Sequence, residues 1–529
     1  MPVQVFTVAQ YRAHVAEGIP LPDGDSIQIN DVAAAIKDLT DLEIGALDDN
    51  KVTLIDVADN ALSLNLAQFR ALGNEVKFST EDKLVLLDSG TALDDLHSGD
   101  IQTLTDRGVG LIDSTDGNLT VEAGATMALL ATNIGFDAAD TVTVSDSSFK
   151  LGLMFFSAPE IMTLSNKGVD FIGSNSGTPF PLKIGAAQAK ALANSNISLM
   201  PDSFVLLSDD GSDLSQLTAA QFAKLSATSL IVLDAVDDVL TLSFDQYKVL
   251  PDTGPYPPGM SLFYPNDKVT LELSVSDLLS LTDAQRASMT ANGVDALTLK
   301  DTGQALATLT ADQITALSSK GANLIDATDN KLSLSLAQYN ALGSVKLSGD
   351  DVVTIAADGD AVLSDGLTDL TLTGSAIRGT GNSLANTIAG TTKNNILSGL
   401  GGDDFLYGGL GKDQLSGGTG KDVFVFDTKL NKSTNVDKIT DFKSKDDSFY
   451  LDNKVFTKLG SGSLSTPKKF NSDMFVEGTK AKDKEDRIVY DKKTGTLYYD
   501  ADGTGKSAQV KFATLSNKEK LYYHDFFVI

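Results

Sequence analysis

Five nine-residue segments follow one another without a gap from Gly381 to Val425: GNSLANTIA, GTTKNNILS, GLGGDDFLY, GGLGKDQLS and GGTGKDVFV. Their sixth positions are Asn386, Asn395, Asp404, Asp413 and Asp422; their eighth are Ile388, Leu397, Leu406, Leu415 and Phe424. Glycine permits positive φ and close approach of neighbouring backbones, so six residues of each segment suit a tight turn. The other three suit a short strand with one apolar side chain pointing inward. Two segments then make one coil, which stacks Asp404 on Asp422, Asn395 on Asp413 and Asn386 on Asp404. A cation between stacked turns would meet carboxylate and backbone oxygens from both layers, the hard oxygen cage that suits Ca²⁺. Asp404 with Asp422 is the best-charged pair; Asn395 with Asp413 has one carboxylate fewer and is expected to bind more weakly, and Asn386 over Asp404 is expected either to bind weakly or to cap the roll. A flexible linker has no reason to repeat an apolar residue at every ninth position.

The elements that carry this array belong to a chain of 529 residues with 42 Lys and Arg against 71 Asp and Glu, a net charge of −29. That charge argues against nucleic acid and anionic membrane as partners, since both reward basic patches. Cysteine is absent, which removes thiol catalysis, disulfides and cysteine-ligated metals. No apolar run is long enough to span a bilayer. The start, MPVQVFTV, has neither a basic region nor an apolar core of the kind a cleaved N-terminal signal needs. Residues 1–350 hold 19 basic and 46 acidic residues, so nearly all of the excess charge lies there.

That N-terminal stretch repeats. VTLIDVADNALSLNLAQFRALG at 52–73, VGLIDSTDGNLTVEAGATMALL at 109–130, LIVLDAVDDVLTLSFDQYKVL at 230–250 and ANLIDATDNKLSLSLAQYNALG at 322–343 share a β-branched run, an acidic turn and an amphipathic segment. Capping-box patterns followed by Gly293 or Gly321 predict helices between the strands. A unit of helix, glycine, strand and acidic turn, at roughly 25 to 30 residues, predicts a stacked α/β solenoid over 1–350. Pro251 to Gly259 interrupts it, marking a split near 255. The acids of the turns read as strand terminators and caps for the following helices. Gln68, Gln246 and Gln338 recur in the amphipathic segments and, as amides, cannot act as hydrolytic carboxylates.

The segment 369–426 resembles the lead-in and nonapeptide array of RTX (repeats-in-toxin) proteins, whose G-G-x-G-x-D-x-U-x repeat binds Ca²⁺ in a parallel β-roll. VFVFDTKLNKSTNVDKITDFKSKDDSFYLDNKVFTKL at 423–459, DRIVYDKKTGTLYYDADGTG at 486–505 and DFFVI at 525–529 are similar to the serralysin-type C-terminal region of that family. The resemblance implies type I secretion through an ABC transporter with an uncleaved C-terminal signal, and an extracellular location. It implies Asp404, Asp413 and Asp422 as carboxylate ligands, and Gly401, Gly409, Gly411, Gly418 and Gly420 as turn carbonyls or conformational requirements. The chain departs from the pattern at Leu400, Asn386 and Asn395, so the first two segments can hold the fold without an ion. The repeats of 1–350, with INDVAAAI at 29–36, resemble those of other RTX exoproteins and imply no reaction.

The resulting expectation is an α/β repeat solenoid over 1–350, a β-roll over 365–427 and a β-rich cap with the secretion signal over 428–529. Asp437, Asp441, Asp446, Asp447, Asp500 and Asp502 are further acids that could close additional sites or simply solvate turns. No zincin, nucleophile-elbow, phosphate-loop or zinc-deaminase motif is present. The reading is a non-catalytic, secreted calcium-binding protein whose solenoid contacts matrix, polysaccharide or a cell envelope. A carboxylate-based polysaccharide hydrolase is the rival reading, and a self-assembling surface-layer protein the third.

Overall fold

The computed structural model describes residues 2–22, 24–146, 156–174, 182–201, 203–227, 229–251 and 261–529. The interruption expected near 255 lies outside the described residues. The chain forms two compact units, one of residues 1–271 with 282–295, the other of 272–281 with 296–529.

In the first unit, strands pair in parallel and are joined by short helices. The strand Val52–Val57 lies beside Ser26–Asp31, which lies beside Val3–Phe6. Ile27, Ile29, Ile55 and Val57 are buried, which gives these strands their inner face. After Val57 the chain turns a corner, and Ala61–Leu64 pairs with Lys83–Asp88 of the next sheet instead. The same transfer follows Val109–Ser114, whose successor Asn118–Glu122 joins Thr141–Asp146. The acidic turns of the repeat are therefore the corners. One residue of each turn is left-handed: Asn60 (φ 53°), Gly117 (φ 72°) and Asp238 (φ 57°) in this unit, and Asn330 (φ 53°) in the second. These are residue types that tolerate that conformation at least cost.

The acid before each left-handed residue caps a helix, but an earlier one than the sequence suggests. The carboxylates of Asp59, Asp116, Asp237 and Asp329 accept the backbone N–H of Ala33, Gly90, Gly211 and Gly303, each 26 residues back. Gln68, Gln246 and Gln338 are buried capping-box residues. Gln68 Nε2, for example, donates to the carbonyls of Lys37 and Leu39. Gln188 does the same toward Phe156 O in a stretch where the repeat is hard to see in the sequence.

In the second unit two large, mainly parallel sheets carry the glycine-rich segments. One runs through Asp369–Leu372, Thr387–Ala389, Phe405–Tyr407 and Val423–Phe426; the other through Arg378–Thr380, Ile396–Gly401 and Gln414–Thr419. Register pairs such as Thr387 with Phe405 and Ile396 with Gln414 fix the step at 18 residues, two segments per coil. The eighth-position side chains Ile388, Leu397, Leu406, Leu415 and Phe424 are all buried at 1% exposure or less. Ser448–Leu451 and Phe526–Val528 extend the first sheet, and Asp437–Ile439 and Val510–Leu515 the second. Phe442, Phe449 and Phe526 stack there, with ring centroids 4.4 and 4.9 Å apart. Thr496–Tyr499 pairs antiparallel with Val510–Leu515, and Asp500 accepts the N–H of Asp502 and Gly503 in the loop between them.

Candidate metal centre

Asp404, Asp413 and Asp422 fold back beneath their own turns because each segment begins with glycine. A Cβ on Gly399 would lie 2.0 Å from Asp404 Oδ2, one on Gly417 2.1 Å from Asp422 Oδ2, and one on Gly408 2.7 Å from Asp413 Oδ2. The same arrangement buries Asn386 and Asn395, and all five sixth-position residues are 1% exposed or less.

One oxygen of each aspartate serves the coil before it. Asp404 Oδ1 accepts the Asn386 N–H at 2.7 Å, Asp413 Oδ1 the Asn395 N–H at 2.7 Å, and Asp422 Oδ1 the Asp404 N–H at 3.1 Å. The ladder does not stop with the array. Asp437 Oδ1 accepts the Asp413 N–H at 3.0 Å and Asp447 Oδ1 the Asp422 N–H at 3.1 Å. These two rungs were harder to find in the sequence because the step lengthens from 18 residues to 24 and 25.

The other oxygen is different. Oδ2 of Asp404, Asp413 and Asp422 is buried and has no hydrogen-bond partner among the described residues. Burying such an atom unpaired costs about 1–3 kcal/mol, more when it is charged. Burial accordingly pushes the Asp404 carboxyl up to about 7; the Asn386 N–H opposes that shift and the Asp422 charge adds to it. Burial also raises Asp413, Asp422 and Asp437, and takes Asp447 to about 6. A divalent cation would remove the penalty by supplying the missing partner.

Asn386 and Asn395 need no such partner. Their Oδ1 atoms accept the N–H groups of Asn382 and Thr391 at 2.8 and 2.7 Å. Their Nδ2 atoms donate to Leu367 O and Ala376 O at 3.3 and 3.0 Å. An amide can give a hydrogen to a carbonyl of the preceding coil, and a carboxylate oxygen cannot. The first two rungs are satisfied within the protein, while the three aspartates are left short.

Backbone oxygens complete the donor set. The left-handed residues are Leu400, Gly409 and Gly418 at position two, and Gly402, Gly411 and Gly420 at position four. A Cβ on Gly411, Gly418 or Gly420 would meet the carbonyls of Lys393, Leu400 and Gly402 at 2.3, 2.2 and 2.0 Å, so these turns lie close against carbonyls of the coil before. Gly401 is at position three, in the strand Ile396–Gly401, and is not left-handed. The neighbouring Gly402 (φ 100°) takes the turn position, which its fourth place in the segment signals. Leu400, at φ 75°, holds a conformation that costs an L-residue roughly 1–2 kcal/mol.

Of the remaining acids, Asp441 is spent on structure, accepting from Gly417 N, Gly418 N and Ser416 Oγ. Asp502 Oδ2 accepts the Ser507 N–H. No group of three or more His, Asp or Glu side chains that could hold a metal converges among the described residues. The donor set is carboxylate pairs with backbone carbonyls, which suits a hard cation of flexible coordination.

The family model for the RTX calcium-binding nonapeptide repeat, in four copies, matches residues 380–415 and 389–424. Those residues include Asn386, Asn395, Asp404, Asp413 and Asp422 of the ladder but not Asp437 or Asp447, and Ca²⁺ is the ion that this repeat binds. No curated protein matches the chain. Among the described residues no helix is long and apolar enough to cross a membrane.

Proposed function

We propose, with a calcium-binding nonapeptide array as the premise, that this chain is an extracellular protein exported by a type I ABC transporter. Its C-terminal region folds when it meets Ca²⁺, and residues 1–350 act as a non-catalytic binding body toward matrix, polysaccharide or cell envelope. The observation that carries the reading is the row of three buried, unpartnered Oδ2 atoms on Asp404, Asp413 and Asp422. Asp404, Asp413 and Asp422 hold the ion, with Asp437 and Asp447 closing the last two rungs. Gly409, Gly411, Gly418 and Gly420 let the backbone approach closely enough to lend its carbonyls. Asn386 and Asn395 cap the ladder without an ion.

Calcium, when bound, supplies positive charge to oxygens that the protein has taken out of water. Extracellular modules bind it with Kd on the order of 10⁻⁴ to 10⁻³ M, far above cytoplasmic calcium levels, so the roll is loose before export and firm after it. The solenoid reading of 1–350 is supported by parallel strands that recur with helical crossovers, and by the corners that pass the chain from sheet to sheet. The non-catalytic reading is supported by polar groups that are used up in caps: the buried Gln residues and corner acids bind backbone N–H and C=O groups.

Hydrogen exchange on the full-length protein, in EGTA and then in calcium, tests the metal reading. Protection should rise across 396–451 and change little across 26–122. Equal exchange in both conditions would overturn it. Incubating the calcium-loaded protein with polysaccharides tests the rest, since release of reducing ends would replace the binding body with a hydrolase.

A further inference from the structure

In this acidic chain a group of lysines gathers without partners. Lys412, Lys432, Lys438, Lys511 and Lys518 line a single open cleft of about 550 Å³ in the second unit. They come from three separate parts of the sequence, so no run of basic residues announces the cleft. None of the five ammonium groups has an ion-pair or hydrogen-bond partner among the described residues. Four are exposed, and Lys511 is half-buried.

The cleft is built on two paired strands. Asp437–Ile439 and Val510–Leu515 run parallel, with Lys438 opposite Thr514. Asp437 and Ile439 are buried while Lys438 between them is exposed, so strand alternation alone turns the lysine outward. Five like charges in one concavity repel one another; the acid in the lining, Asp437, is buried, turns Oδ1 to the Asp413 N–H and makes no ion pair with them, so the arrangement favours an anionic guest.

We infer that this cleft binds an anionic polysaccharide. Ammonium groups are point charges that accept sulfate, phosphate or carboxylate without demanding a fixed geometry. The hydroxyls of Thr494, Thr514 and Ser516 in the lining suit the hydroxyls of a sugar. No aromatic side chain lines the cleft, which leaves a single-stranded nucleic acid without the stacking platform it uses. The inference rests on the calcium reading in one respect: Lys412 and Lys438 adjoin Asp413 and Asp437 of the ladder, so the cleft assembles only when those rungs are formed.

The test uses the full-length protein with calcium present and hydrogen exchange confirming a folded roll. Dextran sulfate and neutral dextran are titrated by calorimetry, beside a single-stranded oligonucleotide of matched charge. Dextran sulfate should bind and neutral dextran should not. The triple variant Lys432→Ala, Lys438→Ala, Lys518→Ala should weaken binding by about tenfold and flatten its salt dependence. The variant Lys468→Ala, Lys469→Ala, Lys480→Ala removes the same charge from exposed lysines outside the cleft and should change affinity less than about twofold. Equal losses in both triples, no binding by a folded protein, or tighter binding of the oligonucleotide would each overturn the proposal. A roll that fails to gain protection in calcium would instead count against the metal reading.

Discussion

Replacing Asp404 by Asn should stabilise the calcium-free protein and reduce what calcium adds. In the wild type Asp404 Oδ1 accepts the Asn386 N–H at 2.7 Å while Oδ2 is buried without a partner. An amide keeps an acceptor for the Asn386 N–H and takes the negative charge off the buried, unpartnered atom, as the neutral side chains of Asn386 and Asn395 do at their rungs. Relieving a buried unsatisfied acceptor is worth about 1–3 kcal/mol. With about 10 mM Ca²⁺ and a Kd on the order of 10⁻⁴ to 10⁻³ M, one site contributes about 1.4–2.7 kcal/mol. The variant should therefore gain roughly the first amount in EGTA and lose roughly the second in its response to calcium. With no tryptophan and 12 tyrosines, urea unfolding of the full-length chain can be followed by tyrosine fluorescence. The calcium-sensitive transition identifies the roll. A variant that is less stable in EGTA, or whose calcium increment is undiminished, would refute the reasoning.

The pH response has the same origin. Burial holds the folded Asp404 carboxyl at about 7 against an ordinary 3.8, so it binds a proton more tightly folded than unfolded. Calcium-free stability from this group is complete below 3.8 and is lost as pH rises through about 7, with Asp447 acting in the same direction up to about 6. The urea midpoint in EGTA should fall between pH 5 and 8 in the wild type and fall less in Asp404→Asn; a rising midpoint contradicts it. Gly402→Ala forces a Cβ to 2.3 Å from the Leu384 backbone at φ 100°, whereas Gly401→Ala meets only Thr419 Oγ1 at 3.1 Å. The first should cost about 2–4 kcal/mol and the second under about 1 kcal/mol, measured by the same unfolding curves. Leu400→Gly should raise stability by up to about 1 kcal/mol, because Leu400 is 52% exposed and left-handed. Gly303→Ala would bring a Cβ to 1.6 Å from Lys331 O beneath a corner, and its melting temperature should drop by several degrees.

Much of the site could be read in the residues themselves. The nine-residue period carried both the 18-residue register and the burial of position six, since glycine at position one leaves a single place for that side chain. The sequence separated Asp from Asn, but not how completely Asn386 and Asn395 satisfy themselves within the fold. In the sequence Asp437 and Asp447 stand out as acids that could close a further site or solvate turns, without a rung assigned to either, because their rungs follow longer steps and need the three-dimensional pairing to appear. The N-terminal repeat showed its strands, yet the corners did not declare themselves. A left-handed Asn60 or Asp238 looks like an ordinary turn until it is seen that the next strand joins a different sheet. Gly90, Gly211 and Gly303, each beneath a carbonyl of the following corner, carry no periodic signal, because the contact spans 28 residues.

The order of the rungs, two amides followed by aspartates, gives the ladder a polarity. The side chains of Asn386 and Asn395 bond to neutral partners of their own and the preceding coil, so the nucleus they form should need no ion. Each aspartate rung then donates its N–H onto a carboxylate of the coil that comes next, and growth beyond the nucleus proceeds only as charge is compensated. In a stacked repeat that grows from neighbour to neighbour, calcium then governs elongation rather than initiation. The folding rate of such a chain should saturate with calcium while its starting point stays fixed at the amide end.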